Sequence, residues 1–263
     1  KLASPKAKLL ITTHGGDLYA LNHPLLRAMK LQVLKSAAAI STVNSEMKQR
    51  LISWGIEANK VTVLPMGVDL AAAELGVSRV PGRLAVVGRL VEKKGIQYLL
   101  SAIREGLESA RLDSSIELVI AGDGPLRSEL EAQAAGLPVS FLGAQSKDKI
   151  RELFASCEIA LLPSITADSG DQEGLPVTLL EAGAAGAMVI ASDLPGINEV
   201  IINERSGLLV PQRDADALLS AIIRAHGDSA LRAQCGERIR EVVSEFDHSV
   251  VGDKYSALLK EIQ

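Results

Sequence analysis

Aromatic residues are scarce: three Phe, three Tyr and one Trp, 3% of 263 residues. Few platforms remain on which nucleic-acid bases could stack. Nor is there a basic excess to draw a phosphate backbone, since 28 Lys and Arg stand against 32 Asp and Glu, a net charge of -4. A nucleic-acid partner is therefore not expected. The two cysteines, Cys157 and Cys235, offer neither a disulfide framework nor metal-ligand spacing. They fit a reduced, cytoplasmic setting. There is no signal-peptide pattern, and no uninterrupted apolar run of the roughly 20 residues a membrane span requires. The nearest candidate, 174–192, is interrupted by glycines, a proline and Glu181. There is also no initiator methionine. The chain opens almost directly into a strand, which reads as the remainder of a longer protein.

What is present is 47% hydrophobic and 23% charged, the mark of a globular chain. Strand-like apolar runs fall at 8–17, 37–45, 60–69, 83–90, 115–125, 139–144, 157–164, 187–192 and 207–211. Helical patterns lie between them, at 23–36, 45–54, 95–109, 125–136, 146–155, 176–186 and 196–202, then at 214–226, about 229–244 and 248–262. Apolar strands separated by helices predict a parallel sheet covered on both faces, an α/β fold. The stretch 71–82 reads as a linker. Residues 83–246 suffice for a complete α/β domain, whereas 1–70 supply half of a doubly wound sheet.

In such sheets ligands bind beyond the carboxyl ends of the strands, and four motifs are expected there. In "VGRLVEKKG", Arg89 follows Gly88 at a strand end, and Lys94 precedes the Gly95 that opens a helix. Two cations beside a helix N-terminus suit a phosphate or diphosphate, although loop cations are often simply solvated. "AGDGPLR" (121–127) is a tight turn in which Gly122 comes close to a ligand at most. It is not a dinucleotide fingerprint, because Arg127 stands where that pattern needs glycine. "THGGD" (13–17) puts His14 at a strand end beside two glycines, a weak signal alone.

The fourth motif is "EGLPVTLLEAGAAG". Pro176 suits the first turn of a helix and leaves the amides of Gly174 and Leu175 in the loop above it. Glu181, alone in charge between Glu173 and Asp193, falls in the second helical turn among small and apolar neighbours. A carboxylate buried there needs donors. Protein amides or an arginine would serve. A ligand diol, such as that of ribose, would serve equally.

Together these motifs resemble the retaining group one glycosyltransferases, which use nucleotide sugars and have the GT-B fold. "VSFLGA", "ALLPS", "GINEVI", "SGLLVP" and "VLPMGVD" follow in that family's order, so the resemblance covers essentially the whole chain. It implies two Rossmann-like domains: a partial acceptor-side domain over 1–70, and a donor-binding domain over 83–246. A C-terminal helix (247–263) packs back toward the first. It also implies that Glu181 takes the ribose hydroxyls and that Arg89 and Lys94 hold the diphosphate. Glu173 lies by the transferred sugar with the Gly174 and Leu175 amides, and His14 faces that sugar across the cleft. The catalytic set is then Arg89, Lys94, Glu173 and His14. Gly88, Gly122, Gly174, Leu175 and Glu181 join the donor site.

No cofactor and no metal are implied. The partners are a nucleoside-diphosphate sugar and a sugar or lipid-linked sugar acceptor, with peripheral membrane contact at the inner face as the way to reach the latter. The glycine-rich loop that opens the family's first domain has no match here. The acidic "TADSGDQ" (166–172) is read as a polar loop shaping sugar choice rather than a metal site. A nucleotide-sugar-binding module without turnover and another GT-B enzyme, such as a sugar-nucleotide epimerase, are the alternatives. A GT-B phosphorylase would need a lysine carrying pyridoxal phosphate, for which no motif is seen.

Overall fold

The computed structural model describes residues 7–20, 23–70 and 76–262. Two parallel sheets organise it. The first holds β1 (Leu10–Thr13), β2 (Ala39–Thr42) and β3 (Val61–Val63), in that order. The second holds β4 (Arg83–Val87), β5 (Glu117–Ala121), β6 (Val139–Gly143), β7 (Ile159–Leu162), β8 (Met188–Ser192) and β9 (Leu208–Val210), in the order β6-β5-β4-β7-β8-β9. From β4 the chain winds outward through β5 and β6, returns to β7 beside β4, and winds the other way. The strand order therefore reverses between β4 and β7, and a crevice opens beyond their carboxyl ends.

The helices are α1 (Gly16–Tyr19), α2 (Pro24–Lys35), α3 (Ser45–Ser53), α4 (Ile96–Glu108), α5 (Arg127–Gln133), α6 (Lys147–Ser156), α7 (Val177–Ala184), α8 (Ala215–Gly227), α9 (Ser229–Ser244) and α10 (His248–Glu261). Side chains of the central strands alternate between two cores, as a period of two requires. Leu84 and Val86, Ile159 and Leu161, and Met188 and Ile190 join Leu99, Leu100 and Ile103 of α4 and Leu218, Leu219 and Ile222 of α8. Ala85, Ala160, Val189 and Ala191 point the other way, to Leu179 and Leu180 of α7 and Ile239 and Val243 of α9. The small residues on that second face let α7 lie close to the sheet. The same core continues into the first sheet through Ile40, Val43 and Met47, so the two halves share apolar packing.

Two expected elements come out differently. Residues 196–200 form a series of turns rather than a helix, with Gly196 at φ 83°. The helix read over 125–136 shortens to α5. Part of the linker read over 71–82 lies outside the described residues. Beyond it, the Arg79 guanidinium donates to the Cys157, Ala185 and Gly186 carbonyls, fastening that stretch to the second sheet. α10 crosses back to the first sheet, where Leu258 packs with Ala39 and Leu64, and Tyr255 OH meets Ser41 Oγ at 3.2 Å.

Candidate active site

The turn after β4 and the loop before α7 face each other across the crevice. Arg89, Lys93, Lys94, Asp171 and Glu173 line a cleft of ≈ 540 Å³ there. Backbone crowding explains its glycines. Gly88 and Gly122 have φ of 156° and 144°, and a Cβ on Gly122 would collide with the Gly88 carbonyl. Gly122 thus lets the β4 and β5 ends touch, which accounts for it as packing. Gly95 sits at φ 62°, where a Cβ would strike the Pro163 carbonyl just past β7. That close approach brings the start of α4 to the reversal point.

The two cations differ. Arg89 is exposed, and its guanidinium makes no hydrogen bond or ion pair with any described residue. Lys94 Nζ lies 3.0 Å from Glu173 Oε1, with both side chains largely buried. The acidic loop is tied down by other charges. Lys93 meets Asp171 at 3.2 Å and Arg213 meets Asp168 at 2.7 Å. Glu92 accepts the Asp168 amide at 2.9 Å, and the Gln212 side chain accepts the Thr166 amide at 2.7 Å. Among the described residues, no cluster of three or more His, Cys, Asp or Glu is arranged to hold a metal.

Glu181 lies in the second turn of α7, half-buried in a second, smaller cavity of ≈ 150 Å³ with Asp69, Lys147, Arg151 and His248. Its carboxylate has no hydrogen bond or ion pair with any described residue. Burial pushes its pKa up, partly offset by Arg151 and Lys147. Arg151 instead bonds Asp69 at 3.3 Å. The protein donors that a buried carboxylate needs are therefore absent among the described residues, and its acceptors remain available to a ligand or to water.

The first sheet closes over the Glu173 loop through backbone. A Cβ on Gly174 would collide with the His14 carbonyl, and one on Gly15 would come 3.1 Å from the Gly174 nitrogen. The His14 ring turns elsewhere, to Met66 Sδ at 3.0 Å and Thr12 Oγ1 at 3.3 Å. It is not among the residues lining the Arg89 cleft. The amides of Gly174 and Leu175 donate to no described backbone group.

Sequence reasoning missed several contributors. Asn44 donates to the Gly174 carbonyl at 2.7 Å, Glu199 accepts from Ser45 at 2.8 Å, and Tyr19 donates to Glu46 beside Gln172. Burial and Glu46 push the Tyr19 phenol well above its ordinary range. Asparagine and serine before a helical pattern signal a cap, but nothing local points Asn44 at a loop 130 residues away.

Two parallel sheets meeting over such a crevice define the GT-B fold. The chain belongs to the group 1 glycosyl transferases: that family's model matches residues 74–242, and the glycosyltransferase family 4 model matches residues 1–72. It is 30% identical over 223 residues to the amylovoran biosynthesis glycosyltransferase AmsK of Erwinia amylovora, covering 82% of this chain and 54% of that protein. It is 30% identical over 268 residues to a GDP-mannose-dependent alpha-(1-6)-phosphatidylinositol monomannoside mannosyltransferase of Mycobacterium tuberculosis, covering 92% of this chain and 68% of that one. Among solved structures, HepE of Anabaena in complex with UDP and glucose superposes with a TM-score of 0.83 at 19% identity, covering 97% of this chain and 72% of that one. The chain spans little more than half of AmsK. No helix among the described residues is long and apolar enough to cross a membrane.

Proposed function

We propose that the chain carries the donor site of a retaining glycosyltransferase, which moves a sugar from a nucleoside diphosphate to an acceptor hydroxyl. The observation that carries this is the unpartnered Arg89 beside Lys94 at the reversal point, with the unpartnered Glu181 further along α7. A diphosphate needs cations and a ribose diol needs an acceptor, and the fold offers both on neighbouring elements. Arg89 and Lys94 stabilise the diphosphate as it leaves, and the Gly174 and Leu175 amides face the transferred sugar beside Glu173. Charge that develops on the leaving group meets fixed donors, usually the largest single contribution in such chemistry.

No carboxylate stands as a nucleophile in this scheme. Retention follows from attack by the acceptor on the face the diphosphate leaves. Glycosyltransferases of amylovoran synthesis and of phosphatidylinositol mannoside synthesis are among the relatives, which supports a saccharide or lipid-linked saccharide acceptor and polysaccharide or glycolipid assembly. No metal or cofactor enters the scheme. Asp168 and Asp171 are engaged by Arg213 and Lys93.

A thermal-shift panel of nucleoside diphosphate sugars tests the donor site, because a ligand that binds only the folded state raises Tm. At least one sugar nucleotide is expected to raise it, and the anomeric proton coupling of the transferred product is expected to match the donor's. A flat response across uridine, guanosine, adenosine and thymidine donors overturns the reading.

A further inference from the structure

We infer that Asn44 is a positioning residue for the donor site: it is the point where the first sheet sets the orientation of the Gly174–Leu175 peptide. Asn44 is fully buried in the turn after β2, and its carboxamide faces two ways. Its Oδ1 accepts the Met47 amide at 2.8 Å, capping α3. Its Nδ2 donates to the Gly174 carbonyl at 2.7 Å, across the junction between the halves. The two partners fix the amide's orientation, since one is an N–H and the other a carbonyl.

A trans peptide is planar, with its C=O and N–H pointing opposite ways. Holding the Gly174 oxygen therefore fixes the direction of the Leu175 N–H, which points away from Asn44. That peptide is closely packed. A Cβ on Gly196 would collide with the same carbonyl and come 2.8 Å from Asn44 Nδ2, and the His14 carbonyl crowds Gly174 from the other side. Next to Asn44, Ser45 donates its amide and hydroxyl to the two oxygens of Glu199 at 2.8 and 3.2 Å, so a second bond across the junction keeps the α3 cap seated. This assignment rests on the donor-site reading above, and it adds that the first half helps build that site.

The two jobs of Asn44 can be separated. Aspartate caps a helix as well as asparagine does, but it cannot donate to the Gly174 carbonyl and sets a charge against it. Asn44→Asp is thus expected to keep α3, with amide hydrogen exchange over 45–53 unchanged. Exchange over 172–180 is expected to quicken, and affinity for a nucleoside diphosphate sugar to fall about tenfold. Asn44→Ala is expected to loosen both segments.

If Asn44 only caps α3, Asn44→Asp behaves as wild type in both segments and in sugar-nucleotide affinity, and that result overturns the assignment. Unchanged exchange over 172–180 overturns it even if affinity falls. If the wild-type chain binds no nucleoside diphosphate sugar, the donor-site reading fails. The exchange pattern then still decides whether Asn44 orients the loop.

Discussion

Lys94 and Glu173 form an ion pair of 3.0 Å with both side chains largely buried, so the inner cation of the cleft already has an anion beside it. Any diphosphate that binds there competes with Glu173 for Lys94. Glu173→Gln is expected to lower Tm without ligand, because a charge buried as part of a pair is left alone. The same substitution is expected to tighten binding of a free nucleoside diphosphate about three- to tenfold while transfer falls. Calorimetric titration of the variant alongside a transfer assay reads both effects.

Arg89 presents the opposite case, an exposed guanidinium with no partner among the described residues. Arg89→Ala is expected to leave Tm unchanged. Affinity for the nucleoside diphosphate should drop about ten- to a hundredfold, the weight of one charge-assisted hydrogen bond, with no change for the free nucleoside. Equal losses for both ligands would make Arg89 mere loop surface.

Glu181 carries a pH prediction. Burial raises its folded pKa above the unfolded value, so folding favours its protonated form. A carboxyl raised in this way contributes stability that is fully present below about pH 4, and that stability is lost as pH rises through the folded pKa. Glu181→Gln removes the dependence, so its Tm should exceed wild type at pH 7 and converge with it near pH 4. Sugar-nucleotide affinity should nonetheless fall about ten- to a hundredfold, as Gln offers one acceptor oxygen to a diol. A 2′- or 3′-deoxyribose donor should then lose little more on the variant, since both changes remove the same contact. Differential scanning calorimetry across pH, with titrations of ribose and deoxyribose donors, supplies the data. A lower Tm for Glu181→Gln at pH 7 would indicate a protein partner instead.

Gly174 has no room for a side chain between the His14 carbonyl and Val43. Gly174→Ala is therefore expected to push the first sheet off the Glu173 loop. Small-angle scattering should show a larger radius of gyration. Transfer should be lost, while a nucleoside diphosphate still binds the second half.

The acidic loop supplies a metal test. With Asp168 and Asp171 paired to Arg213 and Lys93, donor binding should be unchanged by a chelator and by added magnesium or manganese. Loss on chelation, restored by metal, would reassign the loop.

Much of the second sheet was legible because its strands are buried on both faces and read as unbroken apolar runs. "ALLPS" and "AMVIAS" need no partner to be recognised. The turns at 196–200 were missed because "PGINEV" carries helix-compatible residues, while Leu194, Pro195 and Gly196 bend the chain before a helix can start. At the candidate site, Arg89, Lys94, Glu173 and Glu181 stand out in the sequence by chemistry set in local pattern. Their pairing did not, since which cation meets Glu173 depends on where Gly95 brings α4 against β7. Asn44 and Glu199 were illegible for a further reason. They act across the junction, and local sequence holds no record of which distant backbone a capping residue also touches.

The chain crosses between its halves twice, and the two crossings are stitched to each other. The Val68 amide donates to the Phe246 carbonyl at 2.8 Å, and the His248 amide donates to the Val68 carbonyl at 3.0 Å. The backbone at Val68 and the turn at Asp247 are thus bound into one strip, so a change that displaces either segment is felt by the other.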